Sequence, residues 1–122
     1  MQKALVAHEL PIICRAIQHG LGILYFEAER VTDANAMLAA LGKLKPALLV
    51  IDADLPPFGG VEAIRSVCGF DSGSKKIVAI LKDEDLARSV SLHRAGADEV
   101  IFGGYSAYKL QIKLRALGLL TS

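Results

Sequence analysis

Four polar residues stand where long apolar runs stop. KALVA, residues 3–7, gives way to His8 and Glu9, and ALLVI, residues 47–51, gives way to Asp52, with Asp54 two positions further on. Carboxylates gathered beside an imidazole can hold a cation, or can offer an oxygen nucleophile whose attack a cation assists. His8, Glu9 and Asp52 are also a legitimate ligand set for zinc or copper, because imidazole is a softer donor than carboxylate. The plain alternative is structural: an imidazole hydrogen-bonded to Asp52, offsetting the charge of the pocket. Burying such a cluster unassisted is costly, so water, hydrogen bonds or a cation must accompany it. The paired glycines Gly59-Gly60 and Gly103-Gly104 lack the GxGxxG and GxxxxGK spacings that cradle phosphates and read as turns. No GxSxG is present, and no Ser/His/Asp ordering suggests hydrolysis.

These residues need strands to carry them. Short apolar runs alternate with longer amphipathic ones, the pattern of βα units on a buried parallel sheet. Five units fit: strands at 3–7, 23–26, 47–51, 77–81 and 99–102, each followed by a helix. Pro11 suits the first turn of the first helix, with Ile12, Ile13, Ala16 and Ile17 at helical spacing and Gly20 and Gly22 closing it. The second helix runs from about Asp33 to Leu44, capped by Thr32 or Asp33, with Ala36, Met37, Ala40, Leu41 and Leu44 as its apolar stripe. The third spans Val61 to Val67, followed by the turn-rich connector FDSGSKK; the fourth is capped by Asp83 or Asp85. The last runs from about Ser106 to Leu117, with Leu110, Ile112, Leu114 and Leu117 toward the core. The reading is one α/β domain over residues 1–122, a doubly wound five-stranded parallel sheet, (βα)5.

Composition narrows the partners. Fourteen basic and thirteen acidic side chains leave a net charge of +1, far from the positive field that a phosphate backbone requires, so no direct nucleic-acid contact is expected. The chain has no Trp and 6% aromatics, which argues against stacking platforms. MQKALVAHEL has too short an apolar run for a signal peptide or membrane span, giving an expectation of a cytoplasmic protein. Cys14 and Cys68 lack metal spacing, and both read as small buried apolar residues in a reducing compartment.

IDADLPPFGG is similar to the loop of response-regulator receiver domains: a strand-end Asp52, Pro56 four residues later and Gly60 four beyond that. AGADEVIF resembles the segment that leads those domains into their fifth strand, and KALVAHELP aligns with their first strand and its acidic pair. The likeness spans nearly the whole chain and implies a flavodoxin-like fold with strand order 2-1-3-4-5. It implies phosphoryl transfer from a histidine kinase to Asp52, with Mg2+ held by the acidic pair, by Asp52 and by the backbone carbonyl of Asp54. A carboxylate attacking a phosphoryl group brings two anions together, so a divalent cation and a lysine must neutralise the charge that accumulates.

Several positions depart from that pattern. The acidic pair aligns with His8 and Glu9, weakening the Mg2+ site. Leu81 stands where the resemblance implies a hydroxyl, Val100 where it implies a switch aromatic, and Gly103-Gly104 where it implies lysine and proline. Lys82 follows Leu81, and strand alternation points it away from the site. The expectation is therefore a degenerate receiver without enzymatic activity, acting by protein–protein interaction with a histidine kinase or downstream regulator. The family's dimer and partner face, helix four, strand five and helix five, corresponds here to about Asp85 to Leu117, with His93, Tyr105 and Tyr108 as contact candidates. Two rivals stay open: a conventional receiver phosphorylated on Asp52 with Glu9 helping to hold Mg2+, and a small metal- or ligand-binding flavodoxin-like protein using His8, Glu9 and Asp52. The closing GLLTS follows so soon on the last helix that an output domain could once have continued the chain.

Overall fold

A computed structural model of the chain describes residues 1–70 and 75–120. Five strands form one parallel sheet in the order β2-β1-β3-β4-β5. They are β1 (Gln2–Ala7), β2 (Phe26–Val31), β3 (Leu48–Asp52), β4 (Lys76–Ile80) and β5 (Glu99–Ile101). The helices between and after them are α1 (Pro11–Ile23), α2 (Ala34–Leu44), α3 (Gly60–Phe70), α4 (Leu86–Ala95) and α5 (Ala107–Ala116). The doubly wound α/β fold expected from the alternation is thus the fold observed. The connector FDSGSKK falls largely outside the described residues.

Two-residue alternation in the strands divides the core into two layers. Leu5, Ala7, Leu49, Ile51, Ala79 and Leu81 pack with Met37 and Leu41 of α2, Ile64 of α3 and Leu92 of α4. Ala4, Val6, Leu48, Val50, Val78 and Ile80 pack with Cys14 and Ile17 of α1 and with Leu110 and Leu114 of α5. The central strands β3 and β1 are apolar on both faces because helices cover both.

Capping fixes where three helices begin. Asp33 accepts from the N–H of Ala36 at 2.7 Å, Asp85 from that of Arg88 at 3.2 Å, and Ser106 from that of Lys109 at 3.3 Å, each satisfying an orphan first-turn donor. Of the two cap pairs weighed from sequence, Asp33 and Asp85 are the ones used. Helix α1 instead has Pro11 at its start and no side-chain cap, where the missing N–H costs nothing.

Several boundaries differ from the sequence reading. Gly20 and Gly22 do not close α1, which runs through both to Ile23. At Gly20 packing offsets the poor helix propensity of glycine: the Tyr105 hydroxyl lies 2.6 Å from where a Cβ would sit, so a side chain there would push the ring aside, whereas Gly22 has open space around it. The second strand is not 23–26 but Phe26–Val31; Ile23 ends the helix, and Tyr25 turns the corner at φ 68°. An edge strand with one hydrogen-bonded neighbour tolerates Glu27, Glu29 and Arg30 facing water, which hid it from an apolar-run search. On α1 the buried stripe is Cys14, Ile17 and Leu21, leaving Ile12 75% exposed. On α2 it is Ala34, Met37 and Leu41, with Ala36 exposed. Ile112 of α5 is also exposed. Cys68 is exposed, one residue off the Ala63, Ile64 and Val67 stripe of α3, and only Cys14 is buried.

The loop after β3 is held by a close approach. The Gly60 N–H donates to the Ala53 carbonyl at 2.8 Å, and a Cβ on Gly60 would meet the Ala53 Cα at 2.8 Å and the Asp52 carbonyl oxygen at 2.9 Å. Both obstacles are backbone and cannot swing aside. Gly60→Ala is therefore expected to cost about 1–3 kcal/mol in urea-monitored unfolding and to shift the amide resonances of Asp52 and Ala53; a neutral variant would show that the loop has slack.

Candidate functional site

Register brings the site together. The last β1–β3 partners are Ala7 and Ile51, so the next residues, His8 and Asp52, emerge side by side from neighbouring strand ends. This is where the strand order reverses, with β1 leading to β2 on one side and β3 lying on the other, and ligands of open α/β sheets gather at that crevice.

Both residues are nearly withdrawn from water, His8 at 4% and Asp52 at 1% exposure. The Asp52 carboxylate accepts the N–H of Asp54 on Oδ1 at 2.9 Å and the N–H of Glu9 on Oδ2 at 3.3 Å. Backbone donors from both strand-end loops thereby replace its lost hydration.

The expected hydrogen bond between His8 and Asp52 is not formed. His8 Nδ1 lies 3.7 Å from Asp52 Oδ2, beyond hydrogen-bonding range, and instead accepts the N–H of Leu10 at 3.1 Å. A nitrogen that accepts a backbone N–H carries no proton, so the imidazole is neutral with its proton on Nε2. Burial agrees, pushing the His8 pKa below its ordinary value against the opposing pull of Asp52; Lys82 lowers it further. β4 ends at Ile80, so Lys82 belongs to the following loop, where strand alternation does not fix its direction.

The remaining candidates separate. Glu9 is exposed. The Asp54 carboxylate is paired with Arg88, whose Nη2 donates to Oδ1 at 2.8 Å and to the Ala53 carbonyl at 3.4 Å, while Nη1 lies 3.6 Å from Asp83. Burial opposes the charge of that guanidinium, but hydrogen bonding to Asp54 and the charges of Asp54, Asp83 and Asp85 outweigh it and raise its pKa. Leu81 and Val100 are buried in the core. Gly103 turns at φ 74° and donates its N–H to the Asp83 carbonyl, while Gly104 donates to that of Leu81.

This donor set fits Mg2+ poorly. A hard cation seeks several oxygens in octahedral array, whereas each Asp52 oxygen already accepts a backbone N–H and His8 offers nitrogen where the resemblance implies a carboxylate; Arg88 pairs with the Asp54 carboxylate, a group separate from the Asp54 backbone carbonyl that the resemblance implies. Among the described residues no three His, Cys, Asp or Glu side chains converge as a metal site, so the zinc or copper set His8, Glu9 and Asp52 is not assembled either.

Of the proposed contact residues, Tyr108 is 72% exposed and His93 is exposed with Nδ1 3.1 Å from the Ala97 carbonyl. Tyr105 is half-buried: it packs against the α1–α5 layer with its hydroxyl over Gly20, and burial raises its pKa. Sequence reasoning missed Arg88 and the exposed apolar residues Leu86, Val90 and Ile112. A signal existed for Ile112, since α5 carries two i, i+4 pairs, Tyr108/Ile112 and Leu110/Leu114, and only one can face the core.

No protein-family model matches the chain. Transcriptional regulatory protein TrcR of Mycobacterium tuberculosis is 25% identical over 115 residues, covering 94% of this chain and 44% of that protein. Probable transcriptional regulatory protein TcrX of the same organism is 23% identical over 113 residues, covering 93% and 48%. The chain thus spans about half the length of the curated relatives it matches. Among solved structures, a two-component response regulator from Clostridium difficile superposes with a TM-score of 0.87 at 13% identity, covering 96% of this chain and 95% of that one. The receiver domain of NtrX from Brucella abortus does so at 0.84 and 23%, covering 94% and 98%. The fold is the one these receiver-type structures share, and Asp52 stands at the end of its third strand. In this chain the strand-end pair is His8 and Asp52, with Arg88 in the first turn of α4 paired to Asp54.

The neutral His8 has a consequence for stability. Its folded pKa lies below the unfolded value near 6.5, so between the two the unfolded chain binds the extra proton and stability falls as pH falls. Urea unfolding from pH 7.5 downward should show a loss beginning near pH 6.5, with a limiting slope of about 1.4 kcal/mol per pH unit, and His8→Asn should abolish that component. A wild-type curve rising on acidification would contradict a neutral imidazole.

Proposed function

We propose that this domain is a two-component signalling module that works through protein–protein contact, with a phosphorylation switch that is disabled or rewired. The observation that carries the reading is the state of Asp52: its carboxylate is satisfied by two backbone N–H groups, while the aligned helper positions hold Leu81, Val100 and Gly103. Those residues supply neither hydroxyl, switch aromatic nor ammonium. Developing charge on a transferring phosphoryl group would meet little compensation from them. A surface uncoupled from phosphate stays in one state, because an effector shifts an equilibrium only by binding two states unequally.

The working surface in this reading flanks the edge strand β5. Leu86 at 71% and Val90 at 42% exposure lie on α4, and Tyr108 at 72% and Ile112 at 42% on α5. A groove beside them is lined by Glu84, Val100, Phe102, Lys109, Ile112 and Lys113. Aromatic and aliphatic anchors ringed by both charge signs suit a protein partner, either a histidine kinase, a downstream regulator or a second copy of this chain. His93, near the end of α4, belongs to the rim. The reading assigns no enzymatic activity and no nucleic-acid contact to this domain.

One observation favours a second reading, in which Asp52 is a slow phosphoacceptor: β4 ends at Ile80, so Lys82 lies in the loop that follows, where strand alternation no longer turns it from an incoming phosphate. Titration of 15N-labelled wild type and Asp52→Asn with Mg2+ and beryllofluoride separates the two. The disabled switch predicts no Asp52-dependent shifts over Val100 to Gly104. Large shifts there, absent from Asp52→Asn, would establish the phosphoacceptor instead.

The surface has its own test. Tyr108→Glu and Val90→Glu should each weaken self-association or kinase-domain binding at least tenfold in sedimentation or calorimetric titration, with unfolding free energies within about 0.5 kcal/mol of wild type, as for exposed sites. Unchanged binding in both variants would remove this face from the reading.

A further inference from the structure

We infer that Arg88 is the resident counter-ion of the acceptor loop, a latch that ties the start of α4 to the loop behind Asp52 and holds the β3–α3, β4–α4 and β5–α5 loops as one unit. The geometry is a chain of contacts across the C-terminal edge of the sheet. Asp52 accepts the N–H of Asp54; the Asp54 carboxylate and the Ala53 carbonyl accept from Arg88 Nη2 at 2.8 and 3.4 Å. Nη1 of the same guanidinium stands 3.6 Å from Asp83 Oδ2, and the Asp83 carbonyl accepts the N–H of Gly103 at 3.1 Å. One planar cation from α4 therefore addresses two loops, and a backbone bond carries the connection to the third.

An exposed ion pair is weak singly, and both partners here are more than a third exposed, at 38% and 37%. The hold comes from sharing one guanidinium among acceptors on two loops, where its rigid fork loses little freedom per bond formed. The helix end adds to it: Asp85 caps α4 through the N–H of Arg88 itself, so backbone and side chain of one residue are fixed together.

The latch itself stands on the contacts alone; that it keeps the α4–β5–α5 face in a single arrangement rests on the reading of this domain as a phosphate-independent module. Amide hydrogen exchange and 15N shifts on ligand-free wild type, Arg88→Gln, Asp54→Asn and the double variant test it. We expect exchange at Gly59, Gly60, Ser89 and Gly103 to rise at least fivefold in either single variant and no further in the double, with Arg88→Lys falling between wild type and Arg88→Gln. Sodium chloride at 0.5 M should move the wild type part of the way and leave Arg88→Gln unchanged. Exchange within twofold of wild type in Arg88→Gln, or additive effects in the double variant, would overturn the latch. Loop exchange that rises while the amides of Val90, Ile101 and Ile112 stay fixed would overturn its hold on the face. Since these measurements use no phosphate analogue, they fail independently of the beryllofluoride titration.

Discussion

A carboxylate at 1% exposure has to be solvated by the chain that buries it. For Asp52 the solvating groups are the N–H donors of Glu9 and Asp54, and supplying both requires β1 and β3 to end in matched register. That one demand organises the rest. It places His8 against Asp52 and pulls the loop after β3 tightly over the sheet, where Gly60 must approach Ala53 without a side chain. It also turns the Asp54 side chain outward, where Arg88 meets it. Without those donors the bare charge would cost several kcal/mol of desolvation.

The neutral imidazole and the exposed guanidinium are complementary answers to the same electrostatic problem. Inside the pocket, where charge is expensive, the chain uses a His8 ring whose Nδ1 accepts the N–H of Leu10. At its mouth, where solvent shares the cost, it uses a permanent cation. Groups of the chain itself thus supply charge balance both inside the pocket and at its mouth.

Sequence reasoning recovered what burial on two faces dictates. Strands β1, β3 and β4 announce themselves as unbroken apolar runs, and the halting of those runs at His8 and Asp52 marks the site. It misplaced β2 because an edge strand carries Glu27, Glu29 and Arg30, and because two glycines look like a stop until Tyr105 is seen lying over one of them. The acceptor state of His8 Nδ1 depends on where the Leu10 N–H points. The Arg88–Asp54 pair joins residues 34 apart in the chain. Neither follows from period or spacing, since both arise only when the loops are set side by side in space.

The turn at Gly103 also bears on how such a domain can change over evolutionary time. The residue sits at φ 74°, and a side chain built there would begin 3.4 Å from the ammonium of Lys109, itself donating to the Phe102 carbonyl at 2.7 Å. A lysine placed at this one position would meet both backbone strain and repulsion from a neighbouring like charge. Residues 103 and 109 are therefore coupled: what the turn can carry at one position depends on the side chain at the other.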